Sequence, residues 1–297
     1  MDREEFIITV YCLVCEPYQR IKSTCPVRRG GCAPALTDEE VITMEICGEY
    51  LRLPTDKDLF AYFRAHYAHF FPRLTERTLF VRQAANLWQV KTAIPQRLTQ
   101  VSGQAADPVP ILDTLPLPVC GYSRSRRDRG FKPLAAYGHC AAKQLDYSGF
   151  QLGLRITRCG MITWFPLLPA RPHDIRLLEE LVEGFAGLVP ADKGFIDAFR
   201  HAVLAERHGV LVVTPPRKGM TTPHSPSLLT LCARLRKRVE TVGAHLTERF
   251  AVARIRVHDL WHFQPRLIRK VLAHTVGVFL NLQLGRPPLD LDGLVAL

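Results

Sequence analysis

The sequence predicts an α/β protein, a mixed sheet flanked by helices and preceded by an all-helical N-terminal region. Three observations carry that expectation. Residues 1 to about 100 read as short helices separated by tight breaks. Val101–Pro108 (Val-Ser-Gly-Gln-Ala-Ala-Asp-Pro) shifts towards small and polar residues, as a domain boundary does. Beyond it, apolar runs of strand length alternate with amphipathic runs of helix length. The expected division is a helical region over 1–104 and a second domain over 105–297.

In the first region, Phe6–Tyr18 is a helical run, followed by a break rich in Gly, Pro and Arg over Cys25–Pro34. Thr37-Asp38-Glu39-Glu40 has the spacing of a capping box, in which the Thr hydroxyl and the Glu carboxylate each accept from the other's backbone N–H. It opens a helix to about Leu51. Pro54-Thr55-Asp56 starts another to about His69, and Thr75–Leu98 holds one or two more. Such a series suits a helix-turn-helix-like DNA-binding module and equally a plain helical bundle.

In the second region, Val109-Pro110-Ile111-Leu112-Asp113-Thr114 is a buried strand ending on a carboxylate, followed by a basic loop. Phe150–Thr157 and Met161–Leu168 form a hairpin about Arg158-Cys159-Gly160. Asp174–Leu188 reads as a helix capped by Asp174, Ala198–His208 as another, and Val210–Thr214 as a short buried strand. Two long helices, Leu228–Phe250 and Leu267–Leu284, follow.

The net charge is +11 and unevenly spread. Residues 1–102 hold 13 Lys and Arg against 12 Asp and Glu, which leaves 26 against 16 for the remainder. A basic domain suits a polyanionic partner. There is no uninterrupted apolar run of membrane-spanning length, and the acidic start Met-Asp-Arg-Glu-Glu is unlike a signal peptide. A cytoplasmic protein with reduced thiols is expected, since nine cysteines is an odd count and Cys12-x-x-Cys15 has no matching second pair. No Gly-Lys-Ser/Thr phosphate loop and no Gly-x-Ser-x-Gly elbow occurs.

The residues with chemical promise are three carboxylates within this basic region. Asp113 closes a strand, where burial is costly unless the group is paired or metal-bound. Asp192 opens Ala-Asp-Lys-Gly-Phe after the break at Pro190. Glu240 borders the stripe Leu228, Leu231, Leu235, Val239, Val242, Leu246, with Gly243 and Ala244 leaving space beside it. Each alone has an ordinary structural reading. Together they would make an oxygen-rich site for two divalent cations, the equipment of phosphodiester chemistry. Arg124, Arg126, Arg127, Arg129 and Lys132 form the densest cationic cluster, with Lys193 and Arg236 beside the other two carboxylates. These are the expected DNA-backbone contacts.

Ile111-Leu112-Asp113-Thr114, Arg171-Pro172-His173-Asp174-Ile175, the Asp192-Lys193-Gly194-Phe195 run and Arg236-Lys237-Arg238-Val239-Glu240-Thr241-Val242 resemble the DDE transposases of bacterial insertion sequences. His258-Asp259-Leu260-Trp261-His262, with Leu267-Ile268-Arg269-Lys270 after it, resembles the small group numbered nine-eight-two. The resemblance runs from the Thr37 helix to the last helix. It implies an RNase H-like catalytic fold, with Asp113, Asp192 and Glu240 as catalytic and metal-binding residues for two Mg²⁺ or Mn²⁺. It also implies DNA substrates (the element's inverted-repeat ends and a target) and self-association to bring two ends together. Phe195 stands where the family has Tyr, and Thr247 where many relatives carry a basic residue. An RNase H-like nuclease without strand transfer, and a non-enzymatic DNA-binding protein derived from a transposase, are the alternative readings.

Overall fold

A computed structural model describes residues 1–296 apart from 26, 29, 31–32, 128–129, 133, 141–143 and 172–173. The chain forms two compact units: Met1–Ser102 with Glu248–Leu297, and Gly103–Thr247. The last fifty residues, expected in the second domain, thus pack within the helical unit. Among the described residues no helix is long and apolar enough to cross a membrane.

The helical unit contains α1 (Arg3–Thr24), α2 (Asp38–Tyr50), α3 (Asp56–His66), α4 (Arg77–Asn86), α5 (Trp88–Val101) and α9 (Leu260–Gln283). The capping box at Thr37 forms with both reciprocal bonds, and Asp2, Thr55 and Asp259 cap α1, α3 and α9 through their side chains. Asp259 starts α9 a full two turns before Leu267. α9 is buried along most of its length, with Leu272, Val276 and Leu280 at or near zero exposure. The two ends of the chain meet in this core because neither α2 nor α9 has a wholly polar face to offer water.

α2 is buried on all sides, including Glu45 and Glu49, and buried carboxylates need partners. Lys91 Nζ on α5 lies 2.7 Å from Glu45 Oε2, and Lys270 Nζ lies 2.7 Å from Glu49 Oε2. Arg269 joins Glu49 at 2.6 Å to Asp56 at 2.7 Å, and Arg266 holds the other Asp56 oxygen at 2.6 Å. Burial works to raise the Asp56 carboxyl, but Arg269 and Arg266 outweigh it and hold it below its ordinary value. Another buried carboxylate, Asp38, accepts from Tyr18, Arg28 and Gln83. Those donors likewise overcome its burial and lower it.

The other unit is built on a five-stranded antiparallel sheet. β3 (Leu145–Ile156) pairs with β1 (Ile111–Gly121) and β2 (Ala136–Cys140), and also with the short β4 (Ile162–Trp164) and β5 (Leu167–Pro169). Pro116 and Pro118 lie two residues apart, hence on one side of β1, which leaves the other side's donors to the β3 ladder. A parallel pair, β6 (Gly187–Pro190) with β7 (Val210–Val213), forms a second sheet. It begins beside β1, where a Cβ on Gly187 would stand 3.3 Å from the Pro108 carbonyl. α7 (Ala198–His208) and α8 (Pro226–Ala244) complete the layers. Leu112, Leu178, Leu181, Val189, Phe195 and Val212 share one core.

The expected helix over Asp174–Leu188 is instead a 3₁₀ turn, a short α6 (Leu178–Val182) and then β6. Gly184 at φ +70° and Gly187 at φ +125° take the chain out of helical geometry. Arg155, reaching from β3, donates to the carbonyls of Leu181 and Glu183, both at 3.1 Å, and closes the helix end. The side chain of Asp174, expected to cap this segment, and His173 lie outside the described residues. Antiparallel and parallel strands in two adjoining sheets, covered by helices and preceded by an N-terminal helical region, are consistent with an RNase H-like domain.

Candidate active site

All three carboxylates lie in the unit formed by Gly103–Thr247. Asp113 is the third residue of β1, opposite Leu154 of β3, and its Oδ1 accepts from the Thr114 N–H at 2.8 Å. Strand alternation puts Leu112 into the core and sends Asp113 to the opposite face, with Leu115 two residues on. That face meets α8, because a Cβ on Gly243 would lie 3.2 Å from Leu115 Cδ2.

Asp192 follows β6 directly. Ala191 N–H still bonds the Val213 carbonyl at 3.0 Å, and the chain then leaves the ladder through extended backbone at Asp192 (φ −79°, ψ 170°). Its carboxylate receives Arg236 Nη2 at 2.9 Å. Arg236 is largely buried at 17% side-chain exposure, whereas Asp192 is 42% exposed.

Glu240 lies on α8 between these two anchors. Arg236, Glu240, Gly243 and Thr247 follow at steps of four, three and four, one stripe of a helix. Arg236 points this stripe at Asp192 and Gly243 points it at Leu115 beside Asp113. Glu240 itself is exposed, so the place it borders opens to solvent. Val239, Val242 and Leu246 take the neighbouring buried stripe, the second half of the one the periodicity predicts; in its first half Leu228 and Leu235 are half-buried and Leu231 is 47% exposed.

The donor chemistry fits a hard divalent cation, since each of the three residues offers carboxylate oxygens. The side chains are not closed into a cage: among the described residues no three His, Cys, Asp or Glu side chains stand close enough to hold a metal ion. A guanidinium already sits against Asp192, a positive group where a cation would ligate.

Of the expected DNA contacts, Arg124 and Arg126 are exposed on the 3₁₀ turn Tyr122–Arg127 that follows β1. Lys132 is exposed and donates to the Arg126 carbonyl at 2.9 Å. Lys193 is exposed beside Asp192, and Arg217 Nη2 reaches its carbonyl at 3.4 Å. The Arg127 side chain and Arg129 lie outside the described residues. Arg236 proves to be a carboxylate partner first, held by Asp192 rather than by Glu240 one helical turn away. Sequence reasoning also passed over Arg217 and the exposed Arg234, Lys237 and Arg238 on α8. The run Arg234-Leu235-Arg236-Lys237-Arg238 was the legible sign of them.

A family model described as Transposase DDE domain matches residues 103–259. No curated protein and no solved structure matches the chain.

Proposed function

The chain belongs to the transposase DDE domain family, and on that premise we propose that it cuts insertion-sequence ends and joins them to target DNA. Asp113, Asp192 and Glu240 are the catalytic carboxylates in this reading, within the group numbered nine-eight-two. DDE transposases typically use divalent metals; here Asp113, Asp192 and Glu240 would hold two Mg²⁺ or Mn²⁺. When bound, these ions supply the charge that activates an attacking oxygen and stabilises a departing one in phosphodiester chemistry.

The chain's own residues do the rest. Gly243 against Leu115 sets how closely α8 approaches β1, and so how near Glu240 comes to Asp113. Arg236 neutralises Asp192; a cation held by that carboxylate would release the guanidinium for a DNA phosphate. Arg124, Arg126 and Lys132, exposed and basic, hold phosphates on the approach from β1. Lys193 does the same beside Asp192.

DNA contact by the helical unit is part of the proposal. Arg73, Arg77 and Arg82, before and on α4, are exposed. Arg73 and Arg82 line a cleft of about 410 Å³ together with Glu76 and with Arg28, whose guanidinium is held by Asp38. A surface of this charge suits phosphate groups. Two such chains acting on two ends account for the expected self-association, and a cytoplasmic site of action follows from the DNA substrate.

The observation that carries the reading is the aim of one α8 stripe at both aspartates, with Glu240 between Arg236 and Gly243. The test is cleavage and strand transfer on DNA bearing the element's ends. Asp113→Ala, Asp192→Ala and Glu240→Ala should each abolish both reactions and keep DNA affinity within about threefold. Activity surviving in one variant removes that residue from the catalytic set. Cleavage without joining of pre-cut ends would make the protein a nuclease instead.

A further inference from the structure

Tyr122 opens the 3₁₀ turn after β1, and Tyr137 lies on β2 at the edge of the sheet. Their rings stand 4.9 Å apart with planes at 48°. Tyr122 is 59% exposed and Tyr137 49%, so neither ring is held there by core burial. The pair is nevertheless fixed in place. Ser125, itself buried, donates its hydroxyl proton to the Tyr122 carbonyl at 2.6 Å, and the Tyr137 hydroxyl is 2.8 Å from Ser125 Oγ. With the Ser125 proton committed, Tyr137 is the donor in that second bond. Two aromatic faces are therefore oriented and left open to water.

Their surroundings are cationic. Arg124 and Arg126 are exposed on the same turn and Lys132 is tied to it through the Arg126 carbonyl, against two acids in residues 114–146, Asp128 and Asp146, the latter 2.7 Å from His139 Nδ1 on β2. Cations alone would serve a duplex backbone, whose bases are stacked on one another and offer no free face. Exposed aromatic faces between cations suit a strand whose bases are unpaired, because every base has a π-face to stack.

We propose that Tyr122 and Tyr137 form a stacking platform for an unpaired base of a DNA strand, with Arg124 and Arg126 holding the flanking phosphates. The proposal rests on the DNA-processing reading above. It adds a site for single-stranded character, which DNA ends acquire when they are opened or cut.

The experiment uses the full chain and a short duplex with a five-nucleotide single-stranded extension carrying 2-aminopurine, compared with the same duplex made blunt. Stacking on a tyrosine should quench the 2-aminopurine fluorescence on binding. Tyr122→Ala and Tyr137→Ala should abolish the quench and weaken binding of the extended DNA about 10-fold. Blunt-duplex affinity should stay within about twofold, and Tyr122→Phe should behave as the unaltered protein. Should Tyr137→Ala melt early, Tyr122→Ala decides alone, since Tyr122 is the more exposed ring. An unchanged quench in the alanine variants, or equal weakening on both DNAs, would overturn the platform and leave the transposase reading standing. Failure of the unaltered protein to bind either DNA would overturn both.

Discussion

Replacing Lys91 by Met should be among the most damaging single changes in the helical unit. Lys91 is fully buried, and its ammonium stands 2.7 and 3.0 Å from the two Glu45 oxygens and 2.8 Å from the Ala84 carbonyl. Burial pushes the Lys91 amine down and the Glu45 carboxyl up, against the pull of their mutual attraction. At 2.7 Å and an effective dielectric near 20 that attraction is about 6 kcal/mol, much of it offset by the desolvation of two ions. In Lys91→Met, Glu45 keeps Arg269 at 3.9 Å as its nearest cation, too long for a hydrogen bond. The expected loss is ~3–5 kcal/mol, the usual cost of orphaning one member of a buried pair. The double variant Glu45→Leu/Lys91→Met should recover to within about 2 kcal/mol of the unaltered protein, because an apolar pair leaves no charge stranded. Urea unfolding, followed by hydrogen exchange of peptides from α2 and α9, reads this unit separately from the other. A single-variant loss under about 1 kcal/mol, or a double variant less stable than the single, would refute the reasoning.

Acid should weaken the same unit. Asp38 and Asp56 are both held below their ordinary value, so their stabilisation is full above the unfolded carboxyl value near pH 4 and is lost as pH falls through the lower folded values. Urea midpoints for the helical unit should be flat from pH 7 to about 5 and fall below 4; a flat profile to pH 2 would count against these ion pairs. Arg236→Ala frees the half-exposed Asp192, and Mn²⁺ binding followed by electron paramagnetic resonance should tighten about 2- to 5-fold, the range of an exposed ion pair; unchanged binding would show that the guanidinium does not compete. Gly243→Val forces side-chain atoms into the 3.2 Å space before Leu115, and should cost ~1–3 kcal/mol by overpacking while Gly243→Ala costs less; equal stability in both would mean that α8 does not rest on β1 there.

Much of this could be read before folding where the signal is local. The Thr37 capping box is contained within four residues, and it formed as its sequence specifies. The helix over Ala198–His208 and the second half of the α8 stripe are also local patterns, whereas Leu231 in the first half is exposed. The failure at Asp174–Leu188 came from two glycines and from Arg155, which reaches the helix end from β3 some 26 residues away in sequence. β2 escaped notice because an edge strand such as Ala-Tyr-Gly-His-Cys buries little and shows no clear apolar alternation. The three carboxylates were legible as candidates, but the Arg236–Asp192 pair depends on how α8 lies against β6, which no spacing along one helix reveals. Hardest of all was the partnership of residues 248–297 with the first hundred. It rests on Glu49 meeting Arg269 and Lys270 across more than two hundred residues.

That discontinuous unit imposes an order on the protein's birth. α2 leaves the ribosome with Glu45 and Glu49 among apolar neighbours, while the arginine and lysine that neutralise Glu49 lie on α9, still to be made. The segment 103–247 contains all the strands among the described residues and is a compact unit by itself, with no element contributed by the residues after it. A ribosome that stalls, or a message cut short, near residue 250 would therefore release a formed carboxylate-bearing unit beside a helical one that lacks its central helix. Quality control by proteases would meet an exposed α2 in such fragments, and only chains translated through α9 would escape it.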